Sequence, residues 1–277
     1  MNKEIKFLRY PGSKRRMVTF LEEHLPQSSD IKGRYVEPFV GSGAIYFSMR
    51  PAKAILSDIN VDLIDLLMGV QLYPSKVWEM YSKFGNTKRD FNQIRTKINK
   101  LSIIERAARV LYLNRTCFKG MWRTNCKGEF NVGYGGQDRR WVINEENLIQ
   151  VSIALKKARL SCCDFGDIIY SLKPGDFIFA DPPYRPGEKE QINIHYYGKT
   201  FQLDDQRRLS KALKWASRQK INWAMTNSSH PDILSLYQGN YKLEMLKGTG
   251  RLPGLPALNP GEALITNYPI AGGSKIL

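Results

Sequence analysis

"YVEPFVGSGAIYF", residues 35–47, is the stretch on which the fold turns. Tyr35 to Val40 is apolar and β-prone, Gly41-Ser42-Gly43 interrupts it, and a helix-like run begins at Ala44. Glycines directly after a strand let the backbone approach a ligand where the next helix starts. The third glycine of a dinucleotide fingerprint is missing, and no Gly-Lys-Ser/Thr follows, so this is not a phosphate-binding P-loop. Ala54 to Ser57 reads as a second strand and ends at Asp58, 15 residues beyond Gly43. An acidic residue there is the usual acceptor for ribose hydroxyls, although it serves equally as a helix N-cap. Glycine turn and carboxylate together predict an adenosine-containing cofactor that needs no pyrophosphate site.

Outward from this unit, strands are expected at 159–163, 176–180, 221–226, 241–246 and 262–266. Helices are expected at 15–25, 62–72, 105–114 and 204–218. Alternation of this kind implies a mostly parallel sheet with helices on both faces. A basic segment interrupts it. Lys83 to Arg140 holds 14 basic and 4 acidic residues, supplying +10 of the chain's +16. Seven aromatics lie within that segment and Trp141 directly follows it, which fits a folded polyanion-binding surface better than a polybasic tail. The expected organisation is a discontinuous α/β domain, 1–71 plus 151–277, with an inserted module at 72–150.

A second stretch carries the chemistry: "DFIFADPPYRPG", residues 176–187. A buried strand ends on Asp181-Pro182-Pro183-Tyr184, where simple punctuation by Asp-Pro would also suffice. An aromatic exocyclic amine is a poor nucleophile because its lone pair is delocalised into the ring. The Asp181 carboxylate and the Pro182 carbonyl can accept its two N–H bonds and localise that pair, with the prolines keeping the geometry rigid. Tyr184 can stack on an extruded base. A nicotinamide oxidoreductase would share the glycine turn and Asp58 but leaves this tetrad and the basic insert unexplained.

Composition bounds the rest. Hydrophobic residues at 42% suffice for a core, and no run of 18 apolar residues suggests a membrane span. The opening "MNKEIKFLRYPG" is charged where a signal peptide is apolar, so a cytoplasmic protein is expected. Four cysteines without CxxC spacing and three histidines predict neither disulfides nor a metal site.

"FLRYPGSKRRM", "YVEPFVGSGAIYF", "LSDINVDLI", "ARVLYLNR", "GEFNVGYG" and "FADPPYRP" occur in the order of the Dam family of DNA adenine methyltransferases, which this chain resembles to about residue 230. The resemblance implies a Rossmann-like class I methyltransferase sheet with helices on both faces and an inserted, mainly helical target-recognition domain. It implies methyl transfer from S-adenosylmethionine to the 6-amino group of adenine in double-stranded DNA, by a monomer without metal. Tyr10, at a position where many members have Trp, and Lys14 would then hold the cofactor's methionine part. The turn from Phe39 through Gly41 to Gly43 would pass beneath the cofactor, and Asp58 would hold its ribose. Asp164 and Phe165 fall where relatives have an acidic-aromatic pair beside the adenine, or are a strand end and a core ring. Asp181, Pro182 and Tyr184 would form the catalytic pocket. Phe118, Lys119, Met121 and Arg123 match a DNA-contacting hairpin, although Phe118 and Met121 serve equally as core of a small module, and Arg115, Arg139 and Arg140 are further DNA-facing candidates. Tyr196 and Tyr197 resemble a gate over the flipped base, or are exposed loop aromatics. Relatives reading GATC carry an arginine where Gly136 stands, and the 248–261 segment is also altered, so a different or relaxed site is expected. The tetrad alone also suits a methyltransferase acting on RNA or protein glutamine, and an inactive DNA-binding homologue would keep the insert.

Overall fold

A computed structural model of the chain describes residues 7–10, 12–97, 100–125, 128–184, 201–245 and 261–277. Eight strands form one sheet: β1 (Tyr35–Glu37), β2 (Ala54–Asp58), β3 (Ala158–Cys162), β4 (Phe177–Ala180), β5 (Asn222–Ser228), β6 (Tyr241–Met245), β7 (Glu262–Thr266) and β8 (Ser274–Lys275). Their order is β3-β2-β1-β4-β5-β7-β6-β8. β3 to β5 pair in parallel, and β7 enters antiparallel between β5 and β6. The chain leaves β1 toward one edge and returns at β4 toward the other. Loops after β1 and β4 therefore diverge and leave a crevice, the usual ligand site of such sheets. β1 is shorter than its apolar run. It stops at Glu37, where Pro38 has no N–H to offer a neighbour, and only the Val40 N–H returns to the sheet, at Ser57 O 2.8 Å away.

Ten helices cover the described part: α1 (Val18–Glu22), α2 (Ala44–Met49), α3 (Val61–Leu72), α4 (Pro74–Ser82), α5 (Lys88–Thr96), α6 (Ile103–Thr116), α7 (Glu145–Leu155), α8 (Phe165–Ile169), α9 (Leu203–Arg218) and α10 (Pro231–Leu234). None of the described helices is long and apolar enough to cross a membrane. The basic segment contains more helix than its hydrophobic periodicity suggests. α5 and α6 each begin on a reciprocal capping box, Thr87 with Asp90 and Ser102 with Glu105. Those side chains satisfy N–H groups that a helix start would otherwise leave bare.

Two cores flank the sheet. One face packs Val36, Ile178 and Met225 against α8, α9 and α10. The other packs Tyr35, Leu56 and Leu264 against α2 and α3 and continues without a break into Val77, Tyr81, Phe91, Leu111 and Leu148 of the expected insert, 72–150. α6 is buried along ten consecutive residues, Ala107 to Thr116. Its Asn114 also straps the N-terminal segment, accepting from Arg9 N at 3.0 Å and donating to Arg9 O at 2.6 Å.

Candidate active site

The glycine turn is left-handed at both glycines, φ +47° at Gly41 and +64° at Gly43. A Cβ at Gly43 would lie 3.0 Å from the Phe47 ring, and one at Gly41 would lie 3.3 Å from the Tyr10 ring. Gly43 is thus required by the turn and by the helix it starts, and the Tyr10 ring lies against the turn at Gly41. Asp58 reaches back to the same turn. Its carboxylate accepts from Gly41 N at 3.1 Å and from Asn60 N at 3.0 Å. Burial pushes its carboxyl up to about 6, against those backbone hydrogen bonds. The N-cap of α3 is Asn60, whose side chain takes the Leu63 N–H, so Asp58 is not spent on capping.

Asp164 caps α8 through Gly166 N at 2.8 Å and pairs with Arg208 at 2.8 Å. Phe165 is buried against Phe39, ring centroids 5.3 Å apart, with Phe201 edge-on to Phe39 at 5.8 Å. Asp164 thus closes a strand end as a helix cap, and Phe165 is a core ring.

On the other side of the switch point, Lys14 and Asp181 meet. Lys14 is buried in a short 3₁₀ turn, its Nζ 2.8 Å from Asp181 Oδ1 and 4.7 Å from the centre of the Tyr184 ring. Thr226 donates to the same Oδ1 at 2.6 Å, and the Tyr184 hydroxyl does so at 3.3 Å. Three donors thus converge on one oxygen, and among the described residues none donates to Oδ2. Burial works against the Lys14 charge, but Asp181, Tyr184 and Glu262 outweigh it and hold the ammonium protonated. Burial likewise raises the Tyr184 hydroxyl, which stays neutral. Pro182 is buried beside them.

Sequence reasoning missed several residues here. Thr226 and Glu262 belong to β5 and β7, and only strand order brings them to Asp181. Glu262 is half-buried, and burial raises its carboxyl against the pull of Lys14. Glu37 lies inside the quoted glycine motif but carries no signal of its own. It is buried, accepting from Tyr35 Oη at 2.5 Å and Tyr46 N at 2.9 Å. Burial pushes it up to about 8 from an ordinary 4.5. The folded protein therefore holds this proton more tightly than the unfolded chain, and its stabilising contribution is complete below pH 4.5 and lost as pH rises through 8. Glu37→Gln keeps both accepted bonds and removes the titration. Its stability loss between pH 5 and 9, measured by urea midpoints, is expected to be smaller than the wild type's by at least about 1 kcal/mol, the scale of one pKa unit. Parallel pH profiles would contradict that.

The insert divides the expected DNA-facing residues. Phe118 is half exposed with Lys119 Nζ over its ring at 5.3 Å, and Arg123 is held by Asn131 Oδ1 at 2.9 Å. They sit on a small hairpin whose bridges are Cys117 with Tyr134 and Thr124 with Phe130. Met121 leans on the core and Arg139 is exposed. Arg115 and Arg140 are corrections, because both are interior. Arg115 donates to Arg139 O at 2.8 Å, and burial with Arg9, Arg139 and Arg15 nearby brings it down to about 10, despite the opposing effect of Tyr81. Arg140 is fully buried and donates to the carbonyls of Tyr81, Phe84 and Gly85 and to Asn86 Oδ1. Both side chains are buried in the structure. Gly136 has φ +106° with open space where a side chain would start. Tyr196, Tyr197 and residues 248–260 lie outside the described residues.

A sheet of this order, with a glycine turn, an acidic strand end and an Asp-Pro-Pro-Tyr loop at its switch point, has the Rossmann-like architecture of class I methyltransferases. Residues 10–249 match the family described as D12 class N6 adenine-specific DNA methyltransferase. The type II methyltransferase M1.LlaDCHI of Lactococcus lactis subsp. cremoris is 28% identical over 274 residues, 95% of each chain. The type II methyltransferase M.MjaIII of Methanocaldococcus jannaschii is 33% identical, covering 85% of this chain and 89% of that protein. The DNA adenine methylase of Escherichia coli K12 is 30% identical, covering 89% and 88%. The chain belongs to the D12 class of N6 adenine-specific DNA methyltransferases. Membership makes DNA its substrate and S-adenosylmethionine its methyl donor.

Proposed function

We propose that this enzyme methylates the 6-amino group of an adenine rotated out of duplex DNA, acting as a monomer without metal, with Asp181 Oδ2 and the Pro182 carbonyl as the amine's two acceptors. The observation that carries this reading is the convergence of Lys14, Thr226 and Tyr184 on Asp181 Oδ1, which leaves the other oxygen for substrate. Two acceptors on one amine nitrogen favour its tetrahedral form and free the lone pair for attack. S-adenosylmethionine supplies an electrophilic methyl group on a sulfonium. Tyr184, with its ring backed by the Lys14 ammonium, stacks on the extruded base.

The donor set suits the methyl donor. Asp58 has lone pairs left for two ribose hydroxyls, the bare turn at Gly41 and Gly43 admits a close ligand, and Phe39 with Phe165 offers an apolar wall near Asp164. Tyr10 and Lys14 serve the methionine end. Asp58→Asn is expected to weaken S-adenosylmethionine binding by about 1.5–3 kcal/mol, the scale for hydrogen bonds to a charged acceptor. Because Asp58 ionises near 6, wild-type affinity should rise from pH 5 to 7 and the variant's rise should flatten. Calorimetry finding the variant within twofold of wild type would remove Asp58 from the cofactor site.

Residues 72–150 act as the recognition module inserted in a catalytic domain of 1–71 plus 151–277, with Phe118, Lys119, Met121, Arg123 and Arg139 toward DNA. Each neutralised phosphate releases about 0.9 counterion, so log affinity is linear in log salt. Replacing Lys119 and Arg123 with glutamine should flatten that slope by about one to two units. An unchanged slope would place the DNA surface elsewhere. Gly136 cannot supply a bidentate guanine contact, worth about 1–3 kcal/mol. The recognised sequence therefore departs from GATC or is relaxed at one position. Modification-sensitive sequencing of DNA from cells expressing the enzyme tests the whole reading, since it reports the modified base and its context together.

A further inference from the structure

Thr226 and Asn227 are neighbours on β5 and point to opposite faces of the sheet, and both are fully buried. Thr226 lies on the face of Ala224 and Leu264 and donates to Asp181 Oδ1 at 2.6 Å. Asn227 lies on the other face, beneath α9, where its Nδ2 donates to Gln206 Oε1 at 2.9 Å. Gln206, also fully buried, donates from Nε2 to the Pro183 carbonyl at 3.0 Å. The direction of this relay is fixed at its origin. Asn227 Oδ1 accepts from Ser228 N at 2.8 Å, and a backbone N–H can only donate. Asn227 must therefore present its amide nitrogen to Gln206, and Gln206 must present its own nitrogen to Pro183.

We infer that Thr226 and Asn227 are positioning residues that grip the Asp-Pro-Pro-Tyr loop from both faces of the sheet, Thr226 at the Asp181 carboxylate and Asn227, through Gln206, at the Pro183 carbonyl. This rests on the reading of Asp181 and the Pro182 carbonyl as the amine's acceptors. A carboxylate free to rotate about its own axis would exchange its two oxygens. Thr226 and Lys14 on Oδ1 prevent that and keep Oδ2 aimed outward. Proline fixes φ at Pro183, so anchoring the Pro183 carbonyl leaves one free backbone torsion between it and the Pro182 carbonyl and restrains both. Buried networks of this kind rigidify a site when every member has its partner, as each does here. Small errors in the placement of reacting groups cost large factors in rate. Neither residue contacts substrate in this arrangement, so both should act on turnover and leave ligand affinity unchanged.

The test uses the full-length enzyme, tritiated S-adenosylmethionine and plasmid DNA grown in methylation-deficient cells. Thr226→Val preserves shape and removes the donor, whereas Thr226→Ser restores it. The expected result for Thr226→Val is a 10- to 100-fold fall in kcat, the scale of one hydrogen bond to a charged group. KM for S-adenosylmethionine and calorimetric affinity should stay within about twofold, with Thr226→Ser recovering most of the rate. Gln206→Met should likewise lower kcat without changing KM, and melting curves show that each variant is folded. Thr226→Val within twofold of wild type, or Thr226→Ser no faster than Thr226→Val, overturns the proposal. Asp181→Ala, run alongside, separates the two levels. If it stays active, the reading of the pocket fails; if it is dead while Thr226→Val is unaffected, only the positioning role fails.

Discussion

Asp181→Ala is expected to lower the single-turnover rate of methyl transfer by at least about a hundredfold, the loss that follows removal of one preorganised group at a reacting centre. Affinity for duplex DNA should stay within a few-fold, because most of it comes from phosphate contacts made far from this pocket. The asymmetry follows from when each interaction forms. The amine needs its two acceptors while its nitrogen becomes tetrahedral, whereas the backbone contacts are the same before and during transfer. The substitution also leaves the buried Lys14 ammonium with Glu262 as its remaining acidic neighbour. Thermal melting must therefore accompany the rate, so that a loss of fold is not read as a loss of chemistry. A folded variant that keeps more than a tenth of the wild-type rate would sink the assigned role of Asp181.

Much of this site was legible in the sequence because its parts are local. Gly41, Gly43 and Asp58 sit at strand ends that the apolar runs mark, and Asp181-Pro182-Pro183-Tyr184 ends a run in the same way. What sequence could not supply was adjacency across the sheet. Thr226 and Glu262 come to Asp181 because β5 and β7 pair beside β4 in register, Ser228 opposite Glu262. Pairing between strands distant in the chain leaves no periodic trace within either. Glu37 was hidden for another reason: a carboxylate inside an apolar strand looks like a boundary, and only Tyr35 Oη and Tyr46 N reveal it as a buried acceptor. One extra helix of the insert was readable in principle. Thr87 to Asp90 is a capping-box spacing, but α5 has Phe91 as its one buried side chain and almost no apolar stripe.

Arg139 and Arg140 show the same limit at single-residue scale, and their difference yields a measurable contrast. In sequence they are equivalent members of a basic pair in a glycine-rich loop. In the fold, Arg139 is exposed, while Arg140 has its guanidinium among the Tyr81, Tyr112 and Trp141 rings, 4.5 Å from the centre of the last. Its two terminal nitrogens carry hydrogen bonds to the end of α4 and the turn that follows, and Tyr81 Oη returns one to the Arg140 carbonyl at 2.6 Å. Truncation leaves those carbonyls without donors and opens a cavity among three aromatic rings. Arg140→Ala should therefore destabilise the protein by about 3–5 kcal/mol, the range for breaking a buried polar network and losing its packing. Arg139→Ala should change stability by no more than about 0.5 kcal/mol, as surface substitutions usually do, while weakening DNA binding and its salt dependence. Urea unfolding and DNA titrations of the two variants, done side by side, decide the matter. If Arg140→Ala keeps wild-type stability and loses DNA affinity, the buried arginine is a DNA contact after all, and the loop must open for it to reach the duplex.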